Sequence, residues 1–135
     1  MTTPAPTVWT TLSYRDARAG IAFLVEAFGF VEHSVFADEN DASVVHHAEL
    51  LWPPGGGLML GTTNEDSPVT GPGRSSAYCV CVTDGEVDAI HERTLAHGGT
   101  SVRPPVDQPY GGRGCSVADP EGNQWSFGTY RGEDR

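Results

Sequence analysis

The sequence is poor in basic residues. Its 135 residues include 8 Lys and Arg against 18 Asp and Glu, a formal net charge of −10. Proteins bind nucleic acids largely through basic side chains that neutralise phosphates, so this balance argues against a nucleic-acid partner. The negative charge favours a cationic ligand, although an acidic surface also serves simply to keep a protein soluble.

Cysteines are few, and no long apolar run is present. The three cysteines form an odd set, and Cys79 and Cys81 stand two apart on a predicted strand, where their side chains point the same way and do not bridge. We therefore expect three reduced thiols. No basic start is followed by an apolar run, and no segment approaches membrane-spanning length, so we expect a cytoplasmic protein with no membrane partner.

Turn-forming residues are abundant. With 17 Gly, 10 Pro and 38% apolar residues, the chain is typical of a globular protein with short elements, and its length suits a single domain, residues 1–135.

Two halves of the chain repeat one pattern. VWTTLSYRDARAGIAFLVEAFGF, from Val8, and SAYCVCVTDGEVDAIHERTLAHGG, from Ser76, each predict a strand, an Asp, a helix and a Gly. Asp16 and Asp84 are placed to cap the two helices, and Gly29 and Gly98 to end them. The first helix carries a predicted core-facing stripe of apolar residues, namely Ala17, Ile21, Leu24, Val25 and Phe28, and the second a weaker one of Val87, Ile90 and Leu95.

Three further predicted strands follow each helix. Gly61 in LMLGTT aligns with Gly128 in WSFGTY; Gly128 follows Gly61 by 67 residues, and Asp84 follows Asp16 by 68. The sequence therefore predicts an α+β fold of two βαβββ modules, residues 8–62 and 76–130. A polar linker, residues 63–75, joins them, and a tail, residues 131–135, follows.

This organisation resembles the vicinal oxygen chelate superfamily, also called the glyoxalase/bleomycin resistance protein/dioxygenase family. The resemblance rests on YRDARAGIAFLVEAFGF, on YGGRGCSVADPEGNQWSFGTY and on the duplication. It implies curled mixed sheets that enclose a cleft, and a homodimer. Enzymes of the family hold a divalent metal with His, Gln or Glu from the first and last strands of each module.

Carried over by register, those metal positions fall on Trp9, Met59, Ala77 and Ser126. An indole, a thioether, a methyl and a hydroxyl are poor ligands for divalent metals. We therefore expect the metal-free branch of the family, with no metal and no other cofactor.

Strand alternation predicts which residues line the cleft. In the first strand of the second module, alternation places Tyr78 and Val80 beneath the helix. It places their neighbours Ala77, Cys79 and Cys81 in the cleft. Arg113, between glycines, either grips an anionic ligand or lies on the surface. Trp9 either stacks on a planar ligand or packs in the core. The predicted ligand-binding residues are Trp9, Thr11, Ser13, Met59, Cys79, Cys81, Arg113 and Ser126.

His46, His47 and Glu49 form the one cluster of His and carboxylate residues. On a strand His47 and Glu49 share a face, so they fit polar cleft lining, two ligands of a metal or a general base. Two functions stay open. The first is a metal-free protein that binds or sequesters a cationic aromatic, drug-like small molecule. The second is an enzyme of the family, a lyase, isomerase or dioxygenase, that uses Glu49 or a His as base or metal ligand.

Overall fold

The computed structural model describes residues 5–64, 66 and 71–134. The first four strands are β1 (Thr10–Tyr14), β2 (Val31–Ala37), β3 (Val45–Leu51) and β4 (Gly57–Thr62). They form one mixed sheet in the order β1-β4-β3-β2, in which β1 and β4 are parallel and the other pairs antiparallel.

A second sheet repeats this topology. It contains β5 (Ser76–Val80), β6 (Thr100–Asp107), β7 (Arg113–Ala118) and β8 (Gln124–Gly128). Their order is β5-β8-β7-β6, and the first and last strands of the unit, β5 and β8, are again parallel. The predicted α+β fold with two βαβββ units is confirmed. Of the predicted linker, residues 65 and 67–70 lie outside the described residues, as does residue 135 of the predicted tail.

Helix α1 (Ala17–Phe23) begins where the sequence predicts and continues as a π-helical segment, Leu24–Phe28. The Asp16 side chain accepts a hydrogen bond from the Ala19 N–H at 3.1 Å. Gly29 ends the segment at φ 92°, a conformation that suits glycine. Val25, expected in the core, is exposed, because a π-helical turn holds more residues and rotates the following side chains.

Helix α2 (Asp84–Ala96) is capped by Thr83, not by Asp84 as predicted: the Thr83 hydroxyl accepts from the Glu86 N–H at 3.2 Å. Asp84 is the first helical residue, and its carboxylate accepts a hydrogen bond from the Thr129 hydroxyl. Leu95, expected in the core, is half exposed. Within the described residues, neither helix has the length and apolar character needed to cross a bilayer.

The two units share one core. Phe28 of the first unit packs edge-on against Trp125 and Phe127 of the second, with ring centroids 5.2 and 4.7 Å apart. Such pairs stabilise beyond the area that they bury. The Trp52 indole N–H donates to the Val80 carbonyl across the same boundary at 2.9 Å. The two units that repeat in sequence therefore share a hydrophobic core rather than each forming a separate one.

The turn DPEGN, residues 119–123, joins the units at a buried carboxylate. Asp119, 4% exposed, accepts hydrogen bonds from the Tyr14 hydroxyl at 2.7 Å and from the Trp125 indole N–H at 3.1 Å. Burial, followed by the charge of Asp119, raises the pKa of Tyr14 well above its ordinary value. Since a buried carboxylate requires such donors, this turn has a structural role.

Candidate functional site

Cross-strand register defines an open face on each sheet, on the side away from the helices. In the first sheet Thr11, Met59, Glu49 and Ser34 lie side by side across its four strands. The alternate residues, such as Leu12 and those beside it, are buried in the core. The open faces are where side chains remain free to meet a ligand.

Trp9 lies just before β1 in a pocket of about 500 Å³ on the open side of the first sheet, here called the indole pocket. Its indole N–H donates to the Pro6 carbonyl at 3.1 Å. Its ring lies close above Gly57, where an added Cβ would come within 2.7 Å of Cζ3. Other lining residues are His33, Glu49, Leu51 and Trp52. Trp9 therefore lies in a pocket wall, and its part in binding stays a prediction.

Glu49 brings the negative charge of this pocket. Its Oε2 lies 2.9 Å from His47 Nε2, so the two residues share a face as alternation predicts. His46 is exposed and lies 3.0 Å from Asp38 rather than beside Glu49. Within the described part of the chain, no group of three His, Cys, Asp or Glu side chains is arranged to hold a metal ion. The pair is thus suited to charge recognition or to moving a proton.

Cys79 and Cys81 lie in the core, which corrects the prediction that they line the cleft. Cys79 pairs with Phe127 and is a buried residue among those that line a pocket between the units, whereas Tyr78 and Val80 are more exposed and also line a second pocket. The prediction aligned Asp84 with Asp16, although the residue that caps α2 is Thr83. A shift of one residue in register moves every side chain of a strand to the opposite face.

The same shift affects one predicted metal position. Ala77 pairs with Trp125 and packs against the core, and a shift of one residue in register replaces it with its neighbour Ser76. Neither Ser76 nor Ala77 supplies a useful ligand, and Trp9, Met59 and Ser126 do not either. The side chains at these positions therefore do not fit a divalent metal.

Arg113 is held by two carboxylates. It shares the helix-facing side of β7 with buried residues, and its guanidinium binds Asp88 on α2 at 3.0 Å and Asp107 at 3.2 Å. These hydrogen bonds raise the pKa of Arg113. Because both carboxylates already occupy its donors, Arg113 is a poor choice for gripping a ligand.

The remaining predicted residues lie on the open faces. Thr11 is exposed, and Met59 stands between Thr11 and Glu49. Ser13 is buried, and its hydroxyl has no hydrogen-bond partner within the described structure. Ser126 lies in the second sheet, with its hydroxyl 2.8 Å from that of Ser116. None of these four residues lines the indole pocket, which contains Trp9 alone of the predicted ligand-binding residues.

Two further pockets involve residues that sequence reasoning missed. One, of about 410 Å³, lies between the units, where Trp52 and Tyr78 are among its walls. Another, of about 630 Å³, is lined by Tyr78, Val80, Tyr110, Tyr130, Arg131 and Gly132, and we call it the tyrosine pocket. The tyrosines, of which Tyr110 directly precedes two glycines, were the one available signal.

Comparisons with known proteins agree with this architecture. A family model described as Glyoxalase/Bleomycin resistance protein/Dioxygenase superfamily matches residues 7–127. The uncharacterized protein Mb0911c of Mycobacterium bovis is 34% identical over 121 residues, which cover 84% of this chain and 76% of that protein.

Solved structures are similar as well. The crystal structure of TioX from Micromonospora sp. ML1 has 28% identity and a TM-score of 0.70, covering 92% of this chain and 98% of that one. A glyoxalase-related enzyme from Fulvimarina pelagi has 27% identity and a TM-score of 0.67, covering 91% and 86%.

Proposed function

The chain belongs to the glyoxalase/bleomycin resistance protein/dioxygenase superfamily, and on that premise we propose that it binds a planar, cationic, drug-like organic molecule without a metal ion. The observation that carries the proposal is that Trp9 and Glu49 line the same pocket. An indole face and a nearby carboxylate both attract a cationic ring system.

The indole pocket suits such a ligand in size and charge. Its volume of about 500 Å³ falls in the range of small-molecule sites, which are mostly apolar with a few polar groups. Leu51 and Trp52 supply apolar wall, and no Lys or Arg is among the described lining residues. Glu49 is thus the charged group that selects the sign of the ligand.

The net charge of −10 adds attraction at long range. It steers a cation toward the protein and raises the association rate, an effect that salt screens. Stacking on Trp9 acts at contact distance and persists in salt. The two contributions are therefore separable by measuring the rate and the affinity at several ionic strengths.

A second candidate function is enzymatic proton transfer, favoured by the hydrogen bond between His47 and Glu49. A carboxylate beside an imidazole can remove a proton from a carbon acid and return it, as an isomerase or lyase requires. This chemistry places Glu49 as the base and His47 as the residue that orients it.

Calorimetric titration with a matched pair of ligands tests the binding proposal. N-methylacridinium is a permanent cation, and acridine at pH 8 is neutral with nearly the same ring. We expect the cation to bind more tightly. Trp9→Ala should weaken both ligands by roughly threefold to thirtyfold, because the stacking surface is lost. Glu49→Gln should remove only the advantage of the cation.

Glu39→Gln is the control, since it makes the same charge change at an exposed residue outside the indole pocket. If the cation has no advantage, and if a small oxoacid or thioester is turned over by the wild type but not by Glu49→Gln, the enzymatic function replaces the binding function.

Metal content is a separate prediction. Because Trp9, Met59 and Ser126 offer no useful ligands, we expect elemental analysis of dialysed protein, purified without a metal-binding tag, to find far less than one metal per chain. Close to one zinc, nickel, iron or manganese per chain, retained through dialysis, would falsify the metal-free assignment.

A further inference from the structure

The open face of the second sheet carries an aromatic pocket. The Tyr78 hydroxyl donates to the Tyr130 carbonyl at 2.6 Å, which fixes both residues. Tyr110 packs edge-on against Tyr130, with ring centroids 4.9 Å apart. Yet Tyr78 is 50% and Tyr110 64% exposed. Rigid, amphipathic rings that stay exposed at a pocket of about 630 Å³ offer stacking surface to a planar molecule.

A second, narrower pocket of about 120 Å³ adjoins the tyrosine pocket and shares its three tyrosines. A polar row forms its floor, since register places Tyr78, Ser126, Ser116 and Arg103 side by side across β5, β8, β7 and β6. In the first sheet the corresponding row carries the acidic Glu49. The two open faces therefore differ in the sign of their charged residue.

The two serine hydroxyls of this row keep one proton that is available to a ligand. Ser116 and Ser126 share one hydrogen bond at 2.8 Å, and each hydroxyl has a single proton. One proton is used between them, so the other is free to donate to a ligand.

Arg103 supplies the charge. Among the described residues it forms no ion pair, unlike Arg113, whose guanidinium is bound to Asp88 and Asp107. Arg131 also lines the tyrosine pocket, and no Asp or Glu is among the described lining residues of either pocket. In a chain with 18 acidic residues, this makes the face locally cationic.

We propose that this face of the second sheet is a binding site for a planar aromatic carboxylate. The ring lies among the tyrosines in the wider pocket, and the carboxylate enters the narrow pocket. There it accepts hydrogen bonds from the Arg103 guanidinium, whose planar fork matches a carboxylate, and from the free serine hydroxyl. The site is separate from the indole pocket and does not depend on the function proposed for it.

Titration calorimetry with three naphthalene probes tests the site. The probes are 2-naphthoate, the neutral 2-naphthalenemethanol and the cationic 2-naphthylmethylammonium. We expect the carboxylate to bind about tenfold more tightly than the alcohol, a difference of about 1.4 kcal/mol. Arg103→Gln should abolish that preference and leave the alcohol unchanged. Tyr110→Ala should weaken both probes by about threefold to tenfold, because a stacking surface is removed.

Three comparisons make the result specific. Arg15→Gln removes one positive charge at an exposed residue outside both pockets, and should change nothing. Trp9→Ala should not affect 2-naphthoate, so that failure of the indole-pocket function and failure of this one are told apart. Amide NMR shifts on adding 2-naphthoate should centre on Ser116 and Ser126 rather than on Glu49.

The proposal is overturned if no probe binds at millimolar concentration or if the carboxylate has no advantage over the alcohol. It is also overturned if Arg103→Gln keeps that advantage while its thermal unfolding matches the wild type. Tight binding of 2-naphthyl phosphate without binding of 2-naphthoate would assign the face to phosphate esters instead.

Discussion

At the scale of single residues, burial distinguishes the three thiols from reactive cysteines. Cys79, Cys81 and Cys115 all lie in the core. Burial raises the pKa of Cys79 and Cys81 to about 12 and that of Cys115 to about 11. The thiolate is the nucleophile in cysteine chemistry, so these residues are packing groups of moderate size rather than reactive ones.

We therefore predict slow reaction of the folded protein with a disulfide reagent at pH 8. All three thiols should react roughly a hundredfold or more slowly than after denaturation. Thr11→Cys, which places a thiol on the open face of the first sheet, is the control and should react at once with one equivalent. Rapid labelling of the wild-type protein under native conditions would show that the cysteines are not in the core.

The same pKa shifts predict how stability depends on pH. A thiol whose pKa is higher in the folded state than its ordinary value of 9.0 stabilises the fold fully below pH 9. As the pH rises toward about 12, the unfolded state loses the proton first, so the free energy of unfolding should fall. Denaturant titrations at pH 8, 9.5 and 10.5 measure this. Cys79→Ala, tested alongside, should show a shallower decline.

At the scale of elements, the residue that caps α2 is the reference point for aligning the second unit with the first. Thr83 caps the helix, and Asp84 and Glu86 in the first turn lie near the positive end of the helix dipole. Thr83 follows Asp16 by 67 residues, the same separation as between Gly61 and Gly128. The repeat is thus constant in length from the first strand to the last.

Two substitutions distinguish the cap from its neighbour. Thr83→Ala removes the acceptor for the Glu86 N–H and should lower the free energy of unfolding by about 1 kcal/mol. Asp84→Asn keeps the shape and loses only favourable charge, so its effect should be smaller, about 0.5 kcal/mol. Chemical denaturation of both variants measures the difference. A larger loss for Asp84→Asn would restore Asp84 as the cap.

At the scale of the whole molecule, both open faces expose apolar side chains. On the first sheet Phe36 is 59% exposed, and on the second Val106 is 44% exposed. Sheet faces of this kind are commonly covered by another chain. We propose that a second copy of this chain covers part of them, which gives a homodimer.

Light scattering at micromolar concentration should then give twice the chain mass of 14.4 kDa. Phe36→Glu should shift the mass toward that of one chain, because it places a charge in the proposed interface. Leu95→Glu, on the helix side and 50% exposed, should leave the mass unchanged. A wild-type protein that stays monomeric at all concentrations would rule the homodimer out.

Much of the fold follows from local pattern. The helical stripe that includes Ile21, the cap at Asp16, the left-handed glycines Gly29 and Gly98 and the eight strands are all readable, because they depend on neighbours within a few residues. The prediction that Thr11 faces the cleft agrees with β1, where Thr11 is exposed and its neighbour Leu12 lies in the core. The prediction for β1 is aligned on Asp16, which does cap its helix.

The site depended on contacts that local pattern does not contain. Asp84 and Thr83 are both reasonable caps, and choosing the wrong one reversed the faces of Cys79 and Tyr78. Trp9 and Glu49 are distant in sequence and meet in one pocket only through the pairing of β1, β4 and β3. No sequence motif around Arg103 indicates that it belongs to a binding site.

The sequence by itself determined the duplicated βαβββ units, the poor metal ligands at Trp9, Met59 and Ser126, and the acidic balance, because these are properties of residue type and short-range spacing. Tertiary structure alone decided that Arg113 is bound to two carboxylates, and that Arg103 forms no ion pair with any residue that the structure describes. It also decided that Asp119 ties the two units together and that the two open faces carry charged residues of opposite sign. Those outcomes are set by which strands pair and in what register, and a shift of one residue is enough to exchange the buried face for the open one.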